Sequence, residues 1–307
     1  MSDHTANEQR IVRAVTGCRI YVPDGRVTVE GTDDPDATLD IRDPDHGATR
    51  AITDDVVVTQ DEDGVLTIRL AEGGPSKARW LRVERRPRPA IHLRSPRTAP
   101  VTVETVGAEV RVSGCRGGQE VTTVTGNATI DRAQGSVAVR TVSGSIAISG
   151  TSLDVQAATT SCRLSVDAPA LDALQLRSVS GRVEVTGRLA AGRDHRIETL
   201  SGDVRVTTAG GARIVARTIS GRLAAEGAAR RESQGGISGL IAGDGSAVAQ
   251  VTTVSGDIRL ASGSTDAEVA KPSGAQAPDP MLDALEALAR GDISVEEASR
   301  RLEVLHG

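Results

Sequence analysis

Asp203 and Asp257 are the residues of this chain whose type and setting come closest to a catalytic pair. Each follows a Ser-Gly dipeptide inside the same short motif, so both point to one face of whatever structure the motif builds. Two carboxylates flanking a glycosidic bond act as acid and as nucleophile or base when they stand about 5–9 Å apart. These two fall three layers apart, roughly 14 Å at strand spacing. That is too far for a pair. The same outward column reads Glu109, Asn127, Ser145, Arg163, Arg182, Asp203, Arg222, Leu240 and Asp257. Asp203 thus interrupts a basic stripe of Arg163, Arg182 and Arg222. A glycan-active β-helix enzyme is the catalytic alternative, and the near absence of aromatic residues removes the usual stacking platform for sugars and bases. The reading is that the chain is not an enzyme.

Other chemistry is sparse. Asp61-Glu-Asp-Gly64 and Asp33-Asp-Pro-Asp36 are acidic turns of the kind that can bind calcium, but no Gly-rich calcium nonapeptide repeats, and a hairpin turn explains the first better. His4, His46, His92, His195 and His306 have no His-x-x-x-His or Cys-x-x-Cys companion, so no zinc site is expected. His195 beside Asp194 reads as a turn pair. No nucleophile elbow or phosphate-binding loop occurs. No metal, cofactor or small-molecule substrate is therefore expected. Cys18, Cys115 and Cys162 are unpatterned and odd in number, which suits reduced thiols in the cytoplasm. The N-terminus shows no secretory h-region and no apolar run reaches membrane-span length, so a cytoplasmic, at most membrane-peripheral, protein is expected.

The net charge of −5 gives no general pull toward nucleic acid. One segment runs against it: Arg79, Arg82, Arg85, Arg86 and Arg88 crowd around Trp80. They are candidate contacts to an anionic surface such as a membrane, or the charges of an edge strand that blocks stray pairing.

The elements that must position these residues come from a repeat. Thr141-Val-Ser-Gly-Ser-Ile-Ala-Ile148, Thr199-Leu-Ser-Gly-Asp-Val-Arg-Val206 and Thr253-Val-Ser-Gly-Asp-Ile-Arg-Leu260 are good copies of it. A small slot recurs at Ala108, Gly126, Gly144, Cys162, Gly181, Gly202, Gly221, Gly239 and Gly256, in steps of 17–21 residues. Two positions before the slot stand Val106, Val124, Val142, Thr160, Val179, Leu200, Ile219, Ile237 and Val254. Two after it stand Val110, Ala128, Ile146, Leu164, Val183, Val204, Leu223, Ile241 and Ile258. Shared parity places all three columns on one inward face. The Ser before the slot and the Thr three before it would then form outward hydroxyl ladders. Upstream of that Thr the parity flips, as between Val139 and Val142, which marks a bend between two strand segments. A repeating two-strand coil is an all-β, parallel β-solenoid of about nine rungs, right-handed by the crossover rule. The small slot would lie where opposite walls approach closely.

Residues 1–100 read as an irregular β-rich cap, with a hairpin at Val56–Leu70 and a turn at Pro23-Asp24-Gly25. Residues 101–262 carry the repeats, and 263–280 read as a flexible linker. From Met281 to Gly307 the period becomes helical. Leu282, Leu285 and Leu288 form one stripe, Ile293 plugs a turn, and the capping box Ser294-Val-Glu-Glu297 starts a second helix carrying Leu302 and Leu305. A hairpin this small needs something to dock on, so these six apolar residues are the candidate interaction surface for a protein partner or for another copy.

The repeated Thr-Val-Ser-Gly-Asp-Ile-Arg-Leu unit behind a β-rich cap resembles the DUF4097 β-strand-repeat family, an adhesin-like group, over residues 15–262. The tail resembles a SHOCT-like helical hairpin, as found with such repeats in bacterial envelope-stress proteins of the YvlB/LiaX type. The resemblance implies a bacterial β-solenoid, in some members tied to the cell envelope. It implies no catalytic residues. The expected function is a non-catalytic scaffold whose hairpin mediates self-association or partner recruitment, with contact to an anionic membrane surface as the alternative.

Overall fold

The computed structural model describes residues 8–42, 56–70, 88–234 and 237–262. By its contacts the chain divides into two compact units, 1–263 and 264–307. The linker, the hairpin leucines and Ile293 lie outside the described residues, as do Trp80, Arg79, Arg82, Arg85 and Arg86. Every regular element among the described residues is a strand.

The first hundred residues supply β1 (Glu8–Val12), β2 (Gly17–Tyr21), β3 (Arg26–Thr32), β4 (Ala37–Arg42), β5 (Val56–Gln60), β6 (Val65–Leu70) and β7 (Ala90–Pro96). The repeats open with β8 (Val101–Glu104), β9 (Glu109–Ser113) and β10 (Gln119–Thr123). The N-terminal region is more than a cap. β2 pairs in parallel with β6 on one side and β8 on the other, and β3 does the same between β7 and β9. The chain's first layer is thus inserted between a layer made of β6 and β7 and the first repeat. Pro23-Asp24-Gly25 is the corner of that layer, and Val106 and Gly107 both donate to the Pro23 carbonyl. Beyond β6 and β7 the end is closed by antiparallel strands: β5 on β6, β4 on β7, and β1 on β4. Antiparallel closure satisfies one rim of each parallel ladder and leaves a short edge.

The middle is wound by β11 (Ala128–Ser180), a 53-residue extended segment that passes through successive layers. Then follow β12 (Val183–Leu189), β13 (His195–Ser201), β14 (Val204–Thr208), β15 (Ala212–Ser220), β16 (Leu223–Glu226), β17 (Arg230–Gln234), β18 (Ile237–Ala242), β19 (Ala247–Ser255) and β20 (Ile258–Ser262). Layer order departs from chain order here too. β19 lies in parallel between β13 and β15, and β20 between β14 and β16. The last repeat is therefore intercalated between the two before it. The copy centred on Gly239 is no layer of the parallel stack: β18 runs antiparallel to both β15 and β17 and closes the end. Among the described residues eight of the nine sequence copies stack in parallel, and the N-terminal region adds two more layers.

Two columns turn out differently from the parity expectation. Thr105, Thr123, Thr141, Thr159, Ser178, Thr199 and Thr253 are buried, whereas Val106, Val124, Val142, Val179, Leu200, Ile219 and Val254 are exposed. The bend falls after the Thr, not before it. Val137, Val139 and Thr141 continue one inward alternation, Val142 and Ser143 turn outward together, and Ile146 and Ile148 resume the core. The buried hydroxyl explains the choice of Thr: Thr105 Oγ1 accepts the Ala108 N–H at 2.9 Å and Thr123 Oγ1 accepts the Gly126 N–H at 3.0 Å. An inward side chain thereby caps its own corner.

The small slot also has a different cause. A Cβ on Gly126 would lie 2.1 Å from the Ala108 carbonyl oxygen, one on Gly181 1.9 Å from that of Cys162, and one on Gly202 1.9 Å from that of Gly181. The obstruction is the backbone of the neighbouring layer along the stack, not an opposite wall. The core itself is the expected column of aliphatic side chains, with Ile20, Val29, Val103, Ile130, Val166, Val206 and Leu260 all buried in one continuous cluster. Each such side chain contributes on the order of 1.5–3 kcal/mol by leaving water.

Candidate functional site

The corner exposes an apolar ridge. In layer order it reads Val106, Val124, Val142, Thr160, Val179, Leu200, Val254 and Ile219. Its links are the hydrogen bonds Thr125 N–H to Val106 O at 2.7 Å and Ser143 N–H to Val124 O at 2.9 Å, then the register of β13, β19 and β15. Exposure runs from 39% at Val254 to 83% at Ile219. Seven steps at strand spacing make the ridge roughly 34 Å long. Scattered surface valines are ordinary, whereas an aligned apolar strip of this kind is the candidate interaction surface of the described residues. Sequence reasoning placed these residues in the core. The signal against that was the upstream alternation of Val137 and Val139, which carries Thr141 inward and leaves Val142 out of phase.

Beside the ridge runs a polar ladder. Asp203 and Asp257 lie in adjacent layers, as the pairing of Val204 with Ile258 requires, not three layers apart. The separation of one strand spacing removes the distance argument against a carboxylate pair. Their bonding gives them another task. Asp203 Oδ1 accepts the Asp257 N–H at 3.1 Å, and Asp257 Oδ1 accepts the Arg222 N–H at 3.0 Å. Asn127 does the same one flank along, accepting the Ser145 N–H at 3.0 Å. Asp257 also faces the guanidinium groups of Arg222 and Arg259 at 3.9 and 3.4 Å. These oxygens fasten one layer to the next. Arg182 faces Glu184 at 3.9 Å, and Arg163 is exposed.

The acidic turns are likewise occupied. Asp61 Oδ1 accepts the Val65 N–H at 2.7 Å inside the β5–β6 turn. Asp33 holds Arg97 in a two-point fork at 2.7 and 2.8 Å, and Asp36 accepts the Ala14 N–H. Among the described residues no three His, Cys, Asp or Glu side chains converge on a metal position. His195 is not a turn pair with Asp194; its ring is buried in the core with Nε2 2.9 Å from the Ala190 carbonyl oxygen. Cys18, Cys115 and Cys162 are buried free thiols. Burial, with the neighbouring Cys18, pushes the Cys115 thiol up to about 11 despite the opposing charge of Arg97.

Of the five arginines singled out by sequence, Arg88 is described, and its Nε donates to Asp24 at 2.9 Å. A different basic feature appears at the other corner. A groove of about 530 Å³ is lined by Glu30, Arg94, Arg97, Arg116, Arg132 and Gln134, among others. Arg132 has a φ of 51°, rare for a residue with a side chain, and its guanidinium reaches the Ser113 hydroxyl. Arg94 and Arg116 have no ion-pair partner among the described residues. Arg97, Arg116 and Gln134 stand at one corner of successive layers, with the Arg116 N–H donating to the Arg97 carbonyl at 2.6 Å and the Gln134 N–H to that of Cys115 at 3.1 Å, so the groove follows the repeat step along a column that sequence reasoning did not align. No helix among the described residues is long and apolar enough to cross a membrane.

The sequence profile described as Toastrack DUF4097 matches residues 19–275. Three solved structures are similar. A candidate cell-adhesion protein of Clostridium sporogenes ATCC 15579 has 12% identity and a TM-score of 0.27, over 84% of this chain and 100% of the other. A candidate lipid-binding protein of Parabacteroides distasonis ATCC 8503 has 16% identity and a TM-score of 0.37, over 84% and 97%. A candidate adhesin of Bacteroides fragilis NCTC 9343 has 13% identity and a TM-score of 0.37, over 83% and 97%. No curated protein is significantly similar in sequence.

Proposed function

The chain belongs to the Toastrack DUF4097 family, and on that premise we propose that it works as a non-catalytic, right-handed β-solenoid scaffold that assembles with protein partners. The observation that carries this reading is the ridge from Val106 to Ile219: a rigid stack that leaves one apolar residue outside on nearly every layer. The polar residues beside it are spent on fastening layers, which supports a structural role over a chemical one. The tail, through Leu282, Leu285, Leu288, Ile293, Leu302 and Leu305, adds a second means of assembly by binding another copy or another protein. Sedimentation velocity of the full chain against a chain ending at residue 262 tests the tail. The reading expects a larger assembly per chain in the full-length protein. Equal assembly states would remove tail-mediated self-association.

A second reading, peripheral contact with an anionic membrane surface in an envelope-linked role, is favoured by the arginine groove. Flotation with vesicles containing or lacking anionic lipid tests it. Arg94→Gln with Arg116→Gln should then weaken salt-sensitive binding, and binding indifferent to both salt and these changes would defeat it.

A further inference from the structure

The partner of the ridge can be identified from its shape and charge. We infer that the ridge pairs with the same ridge of a second copy, the two columns lying antiparallel across a two-fold axis. This rests on the scaffold reading and names its first partner.

Three observations support it. The ridge has the spacing of the layers, and a second copy is a surface with the same repeat, so six of the seven apolar residues meet an apolar counterpart and Val179 meets Thr160 at the axis. The exposed area of its seven apolar residues amounts to roughly 600 Å² per copy, so complete burial of two ridges removes about 1,200 Å², the lower bound of specific stable interfaces. The third observation is charge, and it chooses the direction. At the Val106 end the ridge is flanked by Glu104 and Glu109; at the Ile219 end it is flanked by Arg217 and Arg222, all exposed. Glu109 already faces Arg26 and Arg222 already faces Asp257, but Glu104 and Arg217 have no ion-pair partner among the described residues. A parallel pairing would set glutamates against glutamates and arginines against arginines. The antiparallel two-fold brings Glu104 of each copy to Arg217 of the other, at both ends of the interface. In that arrangement Val106 faces Ile219, Val124 faces Val254, and Val142 faces Leu200 across the axis.

The test uses charge exchange in the full chain. Glu104→Arg and Arg217→Glu, each alone, place like charges at both ends of a homodimer and should weaken dimerisation at least tenfold in sedimentation equilibrium at low salt. Mixing the two single variants should restore the affinity, because each heterodimer end then pairs opposite charges. Val142→Glu, on an exposed site that leaves the core untouched, should weaken it at least tenfold in any mixture. Three results would overturn the inference: a wild-type monomer at 100-fold above micromolar concentration, single variants that weaken without rescue on mixing, or a dimer indifferent to all three changes. In the last case, loss of the dimer in a chain ending at residue 262 would assign association to the tail and leave the scaffold reading standing.

Discussion

The backbone N–H of Asp257 donates to Oδ1 of Asp203 at 3.1 Å across 54 positions of sequence. With it, a Cβ on Gly256 would lie 2.1 Å from the Gly202 carbonyl oxygen. The pair records how the last repeat is built into the stack: it enters between two earlier layers, while at the other end the first layer is enclosed by two that follow it in sequence. Both chain ends of the parallel stack are thereby held from two sides.

The side chain of Asp257 should matter as an acceptor rather than as an acid. Asp257→Asn keeps an oxygen for the Arg222 N–H and should change stability little. Asp257→Ala removes it and should cost about 1 kcal/mol. Chemical denaturation of both variants checks the difference, and an equal loss in both would assign the effect to charge.

Slot substitutions should act through the neighbouring layer. Gly144 has a φ of 127° and a Cβ there would lie 2.4 Å from the Gly126 carbonyl oxygen. Gly144→Ala should therefore destabilise by about 2 kcal/mol or more, combining backbone strain with a clash. Ser143→Ala, on the outward side, should be within about 0.5 kcal/mol of wild type. Thermal unfolding of the two separates them.

The buried threonines should divide into two groups. Thr123→Val strips the acceptor from the Gly126 N–H and should cost about 1–2 kcal/mol. Thr199 Oγ1 is buried without a hydrogen-bond partner, so Thr199→Val should be neutral or stabilising. If both lose stability equally, the hydroxyl is not acting as a corner cap.

Cys115 should resist alkylation in the folded protein at pH 8, since burial holds its thiol near 11 and keeps the thiolate scarce. Its reaction with iodoacetamide should follow unfolding. The raised value also means that its contribution to stability is present below the ordinary thiol range and is lost as pH rises toward 11.

Asp131 gives the acid side. Burial alone would raise its carboxyl, but hydrogen bonds from Ser113 and Arg111 and the charges of Arg111 and Arg132 outweigh it and hold it below its ordinary value. Its stabilising effect is therefore present above pH 4 and lost as pH falls through its lowered titration. Asp131→Asn should flatten the fall in unfolding midpoint below pH 4.

The repeat made the layers legible: the slot spacing and the aliphatic residues two after the slot gave the core column, as Val110, Ile146 and Val204 show. The side from which each corner faces was not legible by parity, because a corner spends two consecutive residues outward, and the alternation around Val142 and Ser143 does not say which two. Layer order was hidden for a different reason. Parallel pairing constrains neighbours in space, and local sequence does not say that residues 247–262 enter between 195–208 and 212–226. The adjacency of Asp203 to Asp257 follows from that order, so it could not be read from spacing along the chain.

The ridge pairing is tested most directly by disulfide trapping between two variants of the full chain. One carries Val142→Cys and the other Leu200→Cys; the native thiols are buried and leave the assay clean. On mild oxidation of the mixture, the antiparallel pairing predicts a mixed disulfide between the two variants in preference to either homodimer. Homodimers of each variant alone, or no crosslink at concentrations where the chain is a dimer, would contradict it.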